Sequence, residues 1–71
     1  MKFNNLEAEI KRTGLSVENV ASELNFERVT LYNRLSGKTK WTLFDMIKIQ
    51  NFINLKTAQN LTLDYLFKME Q

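Results

Sequence analysis

The stretch LSVENVASELNFERVTLYNRLSGK, Leu15 to Lys38, sets apolar residues at helical spacing on both sides of a short Asn25-Phe26 break. Val17, Val20, Ala21 and Leu24 share one side of a first helix, because each residue turns about 100° and positions three and four apart fall on the same face. Ser16 ahead of them suits an N-cap, its side-chain oxygen accepting from a free backbone N–H one turn on, and Glu18 complements the positive helix end. Asn25 interrupts the pattern, and Asn is the non-glycine residue that best tolerates the left-handed backbone of a tight interhelical turn. A second helix then runs from about Glu27 to Leu35 with Leu31 and Leu35 inward. Gly37 follows where a left-handed residue ends a helix. The remaining face of this second helix carries Arg28, Val29, Tyr32 and Asn33.

Working outward, Leu6 and Ile10 stand four apart with Ala8 nearby, which predicts a helix from roughly Asn5 to Thr13 closed by Gly14. After KTKW, Thr42 with Asp45 three residues later offers a capping-box-like start to a fourth helix. This helix bears Leu43, Met46, Ile47, Ile49, Phe52 and Ile53 and runs to about Asn54 or further. The segment over 55–61 reads either as an extra turn or as a loop. A last helix from Thr62 to about Met69 buries Leu63, Leu66 and Phe67. Trp41 is expected as a partly buried wedge between helices. Tyr65, Phe67 and Met69 either finish the core or contribute a dimer patch. With no repeat and no boundary, the expectation is a single all-α domain of five helices over residues 1–71.

Composition agrees with that class. Pro is absent, Gly occurs twice, and the chain of 71 residues suffices for one core, burying about 60% of its unfolded surface. There is no Cys for disulfides or thiolate metal sites and no His for ligation or proton shuttling. Apolar runs reach two or three residues, far short of a span or signal segment, so a cytoplasmic protein with no membrane partner is expected. The net charge of +2 is compatible with nucleic acid without demanding it. The carboxylates Glu7, Glu9, Glu18, Glu23, Asp45 and Asp64 show no spacing that converges two in a cleft, and no Gly-rich phosphate loop is present, so no catalysis and no cofactor are expected.

A helix-turn-helix needs a small residue where two helices cross, a turn residue that accepts positive φ, apolar residues fixing the second helix, and an uncommitted polar face on it. Ala21, Asn25 and the set Val20, Leu24, Leu31 and Leu35 meet these needs in order. On these residues, on VTLYNRLSGKTKWTLFDMIKI after the turn and on the terminal LDYLF, the chain resembles the lambda-repressor-like, repressor/Cro class of helix-turn-helix regulators. The likeness is to the small members from phages of Gram-positive bacteria, and it spans Leu6 to Phe67. Three positions depart from that class: Val17 stands where Gln is common, Asn25 replaces the usual turn glycine, and Glu27 stands where a capping Ser or Thr is common.

The resemblance implies a sequence-specific DNA-binding transcriptional regulator of a phage genetic switch, with the helix over 27–35 in the major groove of double-stranded operator DNA, acting in the host cytoplasm at the nucleoid. It places Glu27, Arg28, Val29, Tyr32 and Asn33 toward the bases. Arg28 can donate twice to guanine, Asn33 can pair with adenine, and Val29 can meet a thymine methyl. It places Ser16, Thr30, Arg34, Lys38 and Lys40 toward phosphates, fixing register without reading sequence. A homodimer fits the two-fold symmetry of operators. Taken as an isolated helix, the Arg28, Tyr32 and Asn33 face would be merely solvated, and Lys38 and Lys40 a wet loop. An alternative role keeps the fold: an antirepressor or modulator that binds a phage repressor protein, suggested by the low net charge and by Val17, Glu18 and Glu27 where phosphate or base contacts are expected.

Overall fold

Five helices follow one another in the computed structural model, which describes residues 3–69: α1 (Asn4–Arg12), α2 (Val17–Glu23), α3 (Arg28–Leu35), α4 (Leu43–Thr57) and α5 (Leu63–Leu66). The two residues at either end of the expected domain lie outside the described residues. Three helices begin on hydroxyl caps, as the backbone N–H groups of a first turn require an acceptor. Ser16 accepts from the Asn19 amide at 3.1 Å, Thr42 from that of Asp45 at 3.2 Å, and Thr62 from that of Tyr65 at 3.1 Å.

The helix ends explain the tight connections. Beyond α2, Asn25 is left-handed at φ 59°, the Phe26 amide donates to the Ala21 carbonyl at 2.8 Å and the Asn25 amide to that of Ser22 at 3.3 Å. Gly37, at φ 84°, ends α3 in the same way: the Lys38 amide donates to the Asn33 carbonyl at 2.8 Å and the Gly37 amide to that of Arg34 at 3.2 Å. Both are Schellman closures, which satisfy two otherwise orphaned carbonyls while reversing the chain. Asn25 therefore does what its sequence position implied.

Leu6, Ile10, Val20, Ala21, Leu24, Leu31, Leu35, Ile49, Ile53 and Leu66 form one buried core with Phe3. α2 packs on α3, while α1 packs on α4 and α5. Trp41 is the expected wedge: its ring meets those of Phe67, Phe26 and Phe3 edge-on at 5.0, 6.4 and 6.5 Å between centroids. Such aromatic pairs each add about 1 kcal/mol beyond burial.

Four features go beyond the sequence expectation or, for the last helix, differ from it. α4 continues to Thr57, and Ala58 turns the chain at a left-handed φ of 54°. The 55–61 segment is therefore both things at once, helix to Thr57 and return loop beyond it. Asn54 fastens that loop, its side chain donating to the Leu61 carbonyl at 3.1 Å and accepting from the Leu61 amide at 2.9 Å. α5 is a single turn, because Phe67 leaves helical geometry to join Trp41 and Phe3. Leu43 and Ile47 face outward, since α4 is apolar on both sides and Ile49 and Ile53 take the inner one. Glu9, a charged residue in an otherwise polar-looking position, is buried. Among the described residues, no helix is long and apolar enough to cross a membrane.

Candidate nucleic-acid interface

α3 is fixed from behind by Leu31 and Leu35, which are buried, and by the packing of α2 across it. That geometry turns Arg28, Val29 and Tyr32 outward, all three exposed. Glu27 precedes the first turn as an exposed N-cap residue that makes no side-chain capping bond. Asn33 is half-buried, and its carbonyl takes the closure of the helix end, including the Ser36 hydroxyl at 3.1 Å. The five residues expected to face bases thus lie on α3 or at its N-cap, four of them exposed.

Tyr32 is not idle. Its hydroxyl donates to the Glu18 carboxylate at 3.2 Å, linking the first turn of α2 to the middle of α3. Partial desolvation raises the phenol pKa above its usual value, the Glu18 charge and the hydrogen bond raise it further, and Arg28 opposes them. Tyr32 therefore stays a neutral donor. Glu18 was expected to complement the α2 dipole and to stand where a phosphate or base contact is common; its bond to Tyr32 depends on how α2 and α3 cross, which spacing along the chain does not specify. Beside Tyr32 an apolar groove of about 350 Å³ runs between α1 and α3, lined by Ile10, Leu15, Val17 and Leu35 among others.

The residues expected at phosphates divide. Lys38 and Lys40 are exposed on the loop that folds back on the end of α3 through the Lys38 and Thr39 amides, so both residues stand close to the C-terminal end of that helix. Ser16 is exposed with its oxygen engaged in capping, and Thr30 is half-buried on α3. Arg34 is where the expectation must be corrected. Its side chain keeps only 16% of its accessibility, its guanidinium pairs with Asp45, and it lies over the rings of Trp41 and Phe26 at 5.6 and 5.7 Å. Arg34 joins α3 to α4 internally and is not free for a phosphate. The resulting surface mixes Arg28, Lys38 and Lys40 with Glu18 and Glu27.

Among the described residues, no three acidic side chains gather closely enough to hold a metal ion. Comparison of the chain with family models, with curated proteins and with solved structures gives no match.

Proposed function

We propose that the chain is a sequence-specific DNA-binding regulator of the repressor/Cro kind, in which α2 and α3 act as a helix-turn-helix and α3 enters the major groove. The observation that carries this reading is the outward display of Arg28, Val29 and Tyr32 on a helix whose opposite side is seated in the core. A helix presented this way offers a bidentate guanine donor, a methyl contact and a hydrogen-bonding ring within one turn and a half. Lys38 and Lys40 would neutralise phosphates beside it, and Asn33 would reach an adenine at the end of the face. By resemblance the setting is a phage switch in a bacterial cytoplasm.

Selection from a randomised duplex library, followed by titration at several salt concentrations, tests it. One sequence should be enriched, affinity should fall steeply with salt, and Arg28→Ala should remove roughly 1–3 kcal/mol of discrimination at one base pair. Absence of any enriched sequence sinks the reading. A second role is favoured by the Tyr32–Glu18 bond and the exposed Glu27, which set acidic groups where a phosphate would approach. In that role the same fold binds a repressor protein, and a stoichiometric complex with a co-encoded repressor would form while duplex DNA alone is left unbound.

A further inference from the structure

We propose that the outer face of α4 is where two copies of this chain pair, antiparallel and across a two-fold axis. Leu43, Phe44, Ile47 and Leu55 are exposed at 63, 75, 41 and 85%. At about 100° per residue they fall within an arc of roughly 120° opposite Ile49 and Ile53. A helix that is apolar on both sides is ordinarily covered on both. Here the domain covers one.

The arc is also free of charge. Asp45 is turned to Arg34, the Lys48 ammonium lies over the Phe26 ring at 5.1 Å, and that of Lys56 over the Phe52 ring at 5.8 Å. A partner carrying a charged surface would find nothing to pair with, whereas a second copy sets no charged side chain of the arc against its like. The distribution of side chains favours self-pairing in one orientation. Leu43 and Phe44 stand in the first turn and Leu55 in the last, so an antiparallel two-fold sets Phe44 of one copy against Leu55 of the other and repeats the contact at the far end. Exposed Asn51 then lies near the axis beside Ile47, where two amides, each donor and acceptor, can satisfy one another. The exposed parts of the four apolar side chains amount to about 500 Å² per copy, so their complete burial in both copies removes roughly 1,000 Å², the area at which specific interfaces begin. The C-terminal stripe competes poorly: the Tyr65 hydroxyl is bound to Glu9, and Phe67 packs on Trp41.

This inference stands apart from DNA recognition, and sedimentation without DNA tests it. The full chain should move from monomer to dimer across a micromolar concentration series. Phe44→Lys and Leu55→Lys should each weaken the dimer at least 100-fold while leaving helical circular dichroism unchanged, and Met69→Lys should leave it intact. Because the chain has no cysteine, Phe44→Cys combined with Leu55→Cys should give a disulfide-linked dimer on oxidation, since the two positions stand about 16 Å apart along one helix and cannot bridge within a copy. A chain that stays monomeric at several hundred micromolar, or a dimer indifferent to both α4 lysines, overturns the proposal.

Discussion

α3 and α4 are seated alike and finished differently. Each is held by two fully or nearly buried aliphatic side chains, Leu31 and Leu35 in one, Ile49 and Ile53 in the other, and each leaves its outer side open. The outer side of α3 is polar, with Arg28 beside Glu27 and one small apolar residue; that of α4 is apolar apart from Asn51 and carries no charge. Position in the fold is set by the inner faces, so the outer faces are free to encode what the protein meets. On the readings proposed above, that encoding is for nucleobases on α3 and for another apolar helix on α4.

The largest effect should therefore come from the inner faces. Leu31→Ala and Ile49→Ala each remove a fully buried side chain and should cost about 3 kcal/mol, lowering the melting temperature by roughly 10–20 °C. Val29→Ala and Leu55→Ala, on the outer faces, should stay within about 0.5 kcal/mol by urea unfolding of the monomer. Comparable losses at inner and outer positions would break the comparison.

The same contrast explains what the sequence discloses. On α2 and α3 a polar outer side makes the 3.6-residue period point inward, so Val20, Leu24, Leu31 and Leu35 are readable as core. On α4 both sides are apolar, the period loses its direction, and the exposed Leu43 and Ile47 cannot be told from core residues by spacing. Caps and breaks at Ser16, Asn25, Gly37 and Thr42 are legible because they are local. The Arg34–Asp45 pair, the Tyr32–Glu18 bond and the burial of Glu9 arise only when helices distant in sequence meet.

Glu9 sharpens the comparison at the far end of α4. The carboxylate is buried and accepts from the Tyr65 hydroxyl at 2.9 Å, the Arg12 guanidinium at 2.9 Å and the Gln59 amide at 3.2 Å, tying α1 to α5 and to the loop after α4. α3 is tied instead through the Arg34–Asp45 pair and the Tyr32–Glu18 bond. Burial pushes its pKa up, yet the bonds from Tyr65, Gln59 and Arg12 together outweigh burial and hold it below the usual 4.5. A lowered folded pKa means that this stabilisation is complete above about pH 4.5 and is lost as pH falls through the folded value. Glu9→Gln should cost about 2–3 kcal/mol near neutrality, and urea unfolding across pH 3–7 should show the gap from wild type narrowing on the acid side. A gap independent of pH would show that the charge contributes nothing.

Two arginines on α3 divide along the same line. Arg34→Ala breaks the largely buried link to Asp45 and two ring contacts, so it should cost about 2 kcal/mol. Arg28→Ala, exposed, should leave thermal stability within about 0.5 kcal/mol while altering base discrimination. Equal destabilisation by the two would mean that α3 has no free outer face, removing the ground for DNA recognition.

The smallest effects lie where the two helices stop. Both end on a left-handed residue, but α3 uses Gly37 and α4 uses Ala58. An L-residue with a Cβ is strained there by about 1–2 kcal/mol, and glycine avoids the strain while leaving the unfolded chain freer by about 0.4–1 kcal/mol. The difference sets both signs. Gly37→Ala should destabilise by about 1 kcal/mol, and Ala58→Gly should stabilise by about 0.5 kcal/mol, a rise of a few degrees in melting temperature. Alanine at a helix end carries no turn signal, which is why the stop after Thr57 is invisible in the sequence whereas the stop after Leu35 is plain. If Ala58→Gly instead lowers the melting temperature, the return loop is held by Asn54 and Gln50 against Leu61 so firmly that backbone strain at Ala58 is not what limits it.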